Sequence, residues 1–536
     1  MSGTAQRHRI RRQVLEVHAP DEDSARRIQS ELGRIQRQHL ESIIEQCCSE
    51  LSASDRIHRI DLLEIDLGTV DIGHLERELP GKLKSVMRKA LARQIEKQDS
   101  EARRRDSDPA VTSYLELIAI FATTGVLPWW ADSSNPHLIP EALDAVLERA
   151  PDRLADLLRT IVRDLSQLVR IVLHSNDKTL SRLLRVLVSA SPSSGIVLQQ
   201  QAEAIVSTWS SMSGANITWI RNAYWLALIG RAAAGAASPA SFWQAVFGEI
   251  ESQSHEAYVS LMTGILMAAH SSRESVSTFL TPVLRAVIAD RQGRVFIKLP
   301  SDIKAELIEL LGDEPGVRTG MEDGVVRSTG KRQPSASEID GSLETTPHEP
   351  TLKKLRTSRH DSPLDLTFGD ADTVYIENSG LVILWPFLPR FFERLQLVEG
   401  SEFQSAAAQH RAVGLLQYLV AENPSPPEYQ ATLNKILCGL NPEKVLQFGE
   451  PVTDVESEEC DTLLSSVIAQ APILRDLSLD VFRGSFLLRK GLLSARDGVW
   501  LLRVERETYD VVLDRFPWSF DWVRLPWMEV PLGVEW

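Results

Sequence analysis

The sequence is poor in the features that announce chemistry. Its 536 residues include only four cysteines, Cys47, Cys48, Cys438 and Cys460, too few to staple a chain this long by disulfides. Cys47 and Cys48 are adjacent in a helical stretch, where neighbouring side chains diverge by about 100° and do not share a zinc ion. Cys438 and Cys460 stand alone and read as core thiols. No phosphate-cradling G-x-x-x-x-G-K-[ST], G-x-G-x-x-G, H-E-x-x-H or G-x-S-x-G occurs. The twelve histidines are scattered, and His410, on the apolar stripe of its helix, reads as a satisfied core histidine. These absences assign no catalytic, cofactor-binding or metal-ligating residue and argue against an enzyme.

Positive charge is also scarce. Against 73 Asp and Glu there are 58 Lys and Arg, a formal net charge of −15, which argues against nucleic acid as a partner because phosphate binding needs a basic face. Nor is there an apolar run of the ~20 residues that a membrane-spanning helix requires. The longest, Ala223–Ala237 and Leu381–Phe387, are short or broken by Arg231 and Pro386. The start, MSGTAQRHRIRRQVLEV, is basic but lacks a signal-peptide apolar core. A soluble protein of a reducing cytoplasm, without membrane insertion, is expected, and the length suggests roughly three or four domains.

The patterning present is mainly helical, with small α+β modules at both ends. In the first module, residues 1–107, HRIRRQVLEVH reads as a strand. Ala25, Ile28, Leu32, Ile35, Leu40, Ile43, Ile44 and Cys47 then form one apolar stripe on a helix over 21–51. Leu63, Ile65 and Leu67 alternate with Glu64 and Asp66 as a half-buried strand ended by Gly68. A second helix follows over 72–105, with Pro80-Gly81 as a weak point, giving a β-α-β-α unit. Acids alternating along one strand do not converge on a cation, so Asp61, Glu64 and Asp66 read as a solvated or interface-facing edge.

From 108 to 312 the chain reads as helices of 10–20 residues punctuated by Pro128, Pro136, Pro151, Pro192, Gly214, Gly235, Pro239 and Pro300. Short joins between such segments make a multi-helix bundle or solenoid. Trp209, Trp219, Trp225 and Trp243 sit at helical positions as core. Residues 313–372 are rich in Gly, Pro, Ser, Thr and charge, a composition that does not bury enough surface to offset ordering entropy. They read as a disordered linker, and the basic patch of Lys353, Lys354, Arg356 and Arg359 as solvated. The last unit, 373–536, reads as an α+β domain: helices first, including one capped by Thr453, then a small sheet built from VWLLRVE, TYDVVLDRF and FDWVRLPWM. Glu377 and Asn378 read as a cap and turn before Gly380.

Half of the twelve tryptophans lie in this last unit, and the chain ends on LGVEW. Trp385, Phe387 and Phe391 read as core. Trp518, Trp522, Trp527 and Trp536, centred on the Pro-Trp pairs at 517–518 and 526–527, form the candidate interaction surface, since large aromatics are seldom left exposed in number.

HRIRRQVLEV and RIDLLEIDLGTV at one end, and ENSGLVILWPFLPRFFERLQL, HRAVGLLQYL, PPEYQATLNKILCGL, FLLRKGLL, VWLLRVERETYDVVLDRFPWSFDWVRLPWM and VEW at the other, resemble the tape-measure proteins of contractile injection systems. The resemblance implies a structural and assembly role without catalytic residues. It further implies that such a protein sets inner-tube length and contacts the inner-tube protein and baseplate, hub or spike components. It would act in several copies, in the cytoplasm during assembly and then within the particle. One continuous helix over 108–312 would span on the order of 300 Å, but the Pro and Gly punctuation predicts compact stacked helices instead. The alternative from a different class is a helical-repeat adaptor or assembly chaperone for tube subunits or effector cargo, absent from the mature particle.

Overall fold

The computed structural model describes residues 8–311 and 373–536 except for 9, 11–12, 36–38, 53–57, 61, 106–107, 189–191, 212–216, 236–238, 272–273, 291–293, 448–450, 475–476 and 497. The stretch 313–372, expected as a linker, lies outside the described residues.

At the N-terminus the expected helix over 21–51 is two, α1 (Glu22–Ile35) and α2 (Glu41–Leu51), followed by α3 (Leu75–Arg105). Pro80 does not break α3. Ile28, Ile35, Leu40, Ile44 and Cys47 pack on Leu75, Leu79, Leu83, Met87 and Leu91. The two stretches expected as strands carry no ladder among the described residues. Along 62–67 exposure alternates residue by residue, with Leu63, Ile65 and Leu67 half-buried against the helices. Val14 and Leu62, at 68% and 69% exposure, face solvent. The alternation in the sequence is real, but in the free chain it settles one face on helices without pairing a neighbouring strand. Among the described residues the unit is thus helical, with two stretches outside helix and ladder where the β-α-β-α reading expected strands.

The central array runs α4 (Pro109–Thr124), α5 (Leu138–Arg149), α6 (Pro151–Ile161), α7 (Leu165–Leu173), α8 (Asp177–Leu187), α9 (Pro192–Ser207), α10 (Ile217–Ala234), α11 (Pro239–Gln253), α12 (His255–Ser271), α13 (Glu274–Ala289), α14 (Arg294–Ile297) and α15 (Ser301–Leu311). Local chemistry sets the starts: Asp108, Asp164 and Asn176 accept the first free amides of α4, α7 and α8, and prolines open α4 and α6, where a missing N–H costs nothing. One continuous apolar core runs from Val111 to Leu307. Trp209, Trp225 and Trp243 are buried in it, whereas Trp219 is 39% exposed.

The C-terminal unit has its own core. Strand β1 (Thr373–Ile376) leads through a 3-10 turn to α16 (Leu388–Arg394), a short hairpin of β2 (Val398–Glu399) and β3 (Glu402–Phe403), then α17 (Ala406–Ala421), α18 (Thr432–Leu437), α19 (Asp454–Gln470) and α20 (Leu479–Phe482). Thr453 and Glu456 form a reciprocal capping box at α19. After a π-helical turn over Arg483–Leu487 come β4 (Gly491–Arg496), β5 (Val499–Val504), β6 (Trp522–Val523) and β7 (Leu532–Glu535). The sheet order is β1-β4-β5-β7-β6, antiparallel except for the parallel pair β5 and β7. TYDVVLDRF, expected as a strand, is a 3-10 helix over Thr508–Arg515. Its apolar residues bunch instead of alternating, and Asp510 is drawn inward by Arg489 and Trp536.

Candidate functional site

The aromatic tail is sewn into its own domain by indole N–H groups. Trp518 donates to the Ile383 carbonyl at 3.0 Å and meets Phe387 and Phe516 edge-on. Trp527 donates to the Leu437 carbonyl at 2.8 Å and packs on Phe392 and Phe403. Trp536 donates to Asp510 at 2.9 Å, beneath the Arg489 guanidinium and beside Phe520. Trp522 differs. It is 61% exposed and lies over Gly533 on the outer face of the sheet. Phe391 is buried, while Trp385 and Phe387 are partly so. The same outer face, through Thr373, Leu492, Ser494, Leu501 and Arg503, bounds an open cleft of about 2860 Å³, whose other walls are the two N-terminal stretches outside helices, helices α1–α3 and the start of the central array.

Asn378 sits at the N-cap position of the 3-10 turn Ser379–Leu384, where its carbonyl accepts from the Leu381 N–H at 3.1 Å, but its side chain makes no capping bond. Its amide donates to Gln417 at 2.9 Å and to Asn434 at 2.8 Å, a buried amide triad under β1. His410 is half-buried, and its Nε2 has no hydrogen-bond partner among the described residues. Burial, then Lys444 and Lys435, hold it below the ordinary histidine range. Cys47, Cys438 and Cys460 are buried, and desolvation raises all three thiols.

Sequence reasoning missed the most unusual chemistry, a polar seam joining the central array to the C-terminal unit. Arg170 is the one charged residue of helix α7 and is 1% exposed. Its Nε donates to Glu428 Oε1 at 3.1 Å, Nη1 donates at 2.8 Å to each of the Ala122 and Thr123 carbonyls that end α4, and Nη2 donates to the Glu443 carbonyl. Lys435, fully buried on α18, donates to the same Glu428 oxygen at 2.7 Å and to the Pro442 carbonyl at 2.6 Å. One carboxylate thus serves two buried cations. Burial, with Arg170 adding to it, brings the Lys435 ammonium down to about 8 against the pull of Glu428. Gly125, the left-handed cap of α4 at φ +75°, makes room: a Cβ there would lie 2.3 Å from Glu428 Oε1.

His174 completes the seam. Its Nδ1 donates to the Arg170 carbonyl at 2.9 Å, so its Nε2 is the acceptor for the Glu428 backbone N–H, also at 2.9 Å. This is a neutral imidazole in one tautomer, held below the ordinary histidine range by burial first, against the charge of Glu428. Around it Tyr429 donates to the Asn135 carbonyl at 2.6 Å, Gln430 to the Ser133 carbonyl at 3.0 Å, and Ser133 to Glu377 at 2.7 Å. Two residues are exchanged between the cores: Tyr429 packs into the central array, and Val126 packs into the C-terminal unit. The signal in the sequence was slight, single charges in the apolar runs LSQLVRIVL and LNKIL.

Among the described residues no helix is long and apolar enough to cross a membrane, and no group of three His, Cys, Asp or Glu side chains is placed to hold a metal ion. No curated protein and no solved structure matches the chain. A family model described as contractile injection system tape measure protein matches residues 7–536, both ends and the helical array between them. The chain belongs to the contractile injection system tape measure protein family, a family of structural components of the injection particle.

Proposed function

We propose that this chain governs inner-tube length while a contractile injection particle is assembled, acting without catalysis. The observation that carries this reading is the family match over residues 7–536, which includes the helical array as well as both ends. The chain acts in several copies, meeting inner-tube protein along its length and baseplate, hub or spike components at one end. Assembly takes place in the cytoplasm, and the chain remains within the particle. Of the aromatic tail, Trp522 is the docking contact, because its ring is the one that stands in solvent.

The folded array is not itself a rod. Its longest helix, α10, has 18 residues and spans about 27 Å at ~1.5 Å per residue. The helices fold back on one another around one core. Length is therefore set by an array that opens along the tube, and its reach scales with the number of helices. Removing the α11–α12 pair (239–271), with both ends intact, is expected to shorten tubes seen by electron microscopy. Tubes of unchanged length would sink the ruler and leave an assembly role.

The back-folded helices also favour the second reading, an adaptor or chaperone for tube subunits or cargo that leaves before maturity. Mass spectrometry of purified particles separates the two. Stoichiometric presence supports the structural component, and absence supports the adaptor.

A further inference from the structure

The central array and the C-terminal unit meet through charges and single hydrogen bonds more than through shared apolar packing. Among the described buried residues, only Tyr429 and Val126 cross from one core to the other. A buried polar contact of this kind holds firmly while every partner is satisfied and fails when one is not. The most sensitive partner is His174. Both its ring nitrogens are committed, Nδ1 as donor to the Arg170 carbonyl and Nε2 as acceptor from the Glu428 amide. A proton added at Nε2 would face the Glu428 N–H, donor against donor.

We propose that the seam is a proton-sensitive joint, in which protonation of His174 breaks its hydrogen bond to the Glu428 amide and releases the C-terminal unit from the helical array.

The surrounding charges set the sign. Arg170 on the same helix and Lys435 on α18 oppose a third cation, while the Glu428 carboxylate favours it but is already shared by those two. Glu443 acts on Lys435, and Lys444 on His410, from the loop beyond α18. Helix α4 offers His174 the edge of Phe121 at 4.8 Å. The ring is thus harder to protonate when the seam is closed than when it is open. The open form binds the extra proton, so closure is favoured at neutral pH and weakens as pH falls through the ordinary histidine value of 6.5. His410 shifts with the same sign and feels Lys444, Lys435 and Glu428, so a variant at His174 that leaves His410 in place is needed to separate the two.

This joint concerns the free chain and does not depend on how tube length is set. The test is hydrogen exchange on the full-length protein at pH 7.5 and 5.0, corrected for intrinsic rates. The Glu428 amide is expected to lose protection by about tenfold or more in acid, while β4 and β5 keep theirs. His174→Gln, whose side-chain oxygen can accept from the Glu428 amide without titrating, is expected to keep the seam protected at pH 5.0. Unchanged protection in the wild type, or equal loss in H174Q, would overturn the joint. Should H174Q fail to fold, the wild-type pH profile decides. A single step below about 6.5 confined to the seam supports the joint, and a flat profile, or one shared by β4 and β5, overturns it.

Discussion

Arg170 and Glu428 are 258 residues apart in the chain and 3.1 Å apart in the fold, each with 1% of its side chain exposed. Glu428 is the one carboxylate whose side chain bonds both Arg170 and Lys435, and its Oε2 has no partner among the described residues. Glu428→Gln would take from two buried cations the carboxylate they share. Removing one member of a buried ionic cluster costs about 3–5 kcal/mol. Urea denaturation of the full chain should show that loss, and replacing Arg170, Glu428 and Lys435 together by Met, Leu and Met should recover part of it. A cost for E428Q under about 1 kcal/mol would mean that the cations are solvated at the seam.

Gly380 fixes how the first turn of the C-terminal unit meets its π-helical turn. A Cβ at this position would lie 1.7 Å from the Phe486 carbonyl oxygen and 2.7 Å from the Leu487 Cα, both backbone atoms. Backbone does not step aside as a flexible side chain does, and overpacking of this severity exceeds the usual 1–3 kcal/mol of an added methyl (about that range in ordinary cores). Gly380→Ala is expected to abolish the near-ultraviolet dichroism of the tryptophans in this unit. Gly484→Ala, where a Cβ meets nothing within 4 Å, should retain it. Native dichroism in G380A would show that the two turns are free to separate.

Where the sequence was legible, a local rule decided the structure. Asp108-Pro109, Pro151 and Thr453 mark helix starts by capping and fixed φ, and the helices begin there. Trp500, Leu502 and Val504 alternate inward and declare β5. Illegible features depend on partners far away in the chain. Strand β4, GLLSAR, follows directly on a helical run and becomes a strand because β1 and β5 flank it. The stretch 508–515 turns helical around Asp510, whose partners Arg489 and Trp536 lie 21 and 26 residues away. The seam was least legible, since a lone Arg in α7 and a lone Lys in α18 say nothing of the glutamate between them.

Glu456 gives the C-terminal unit a measurable acid sensitivity. Burial works against its charge, but the Arg411 guanidinium, 2.7 Å away at Nε, and the Thr453 amide and hydroxyl outweigh that and hold the carboxyl at about 2, below its ordinary 4.5. A carboxyl depressed by folding stabilises above its unfolded value and loses that contribution as pH falls through the folded one. Glu456→Gln should therefore melt below wild type at pH 7, and the gap should narrow from pH 4.5 towards about 2. A gap independent of pH would show that the amide loses packing or hydrogen-bond geometry, not charge.

Trp522 and Trp527 lie five residues apart and should answer opposite questions. Trp527 donates to the Leu437 carbonyl, packs on Phe392 and Phe403, and presses its own carbonyl against Gly439. Truncating an aromatic so placed costs about 3–5 kcal/mol, so Trp527→Ala should lower the stability of the C-terminal unit in denaturant titrations. Trp522 loses little on truncation, since 61% of it is already in solvent, and Trp522→Ala should change stability by less than about 0.5 kcal/mol. Its effect should instead be seen as reduced incorporation of the chain into purified particles, quantified against inner-tube protein by mass spectrometry. Normal incorporation of W522A would remove Trp522 as a docking contact. Unaltered stability of W527A would show that the tail is not sewn into the core as its hydrogen bond and ring contacts require.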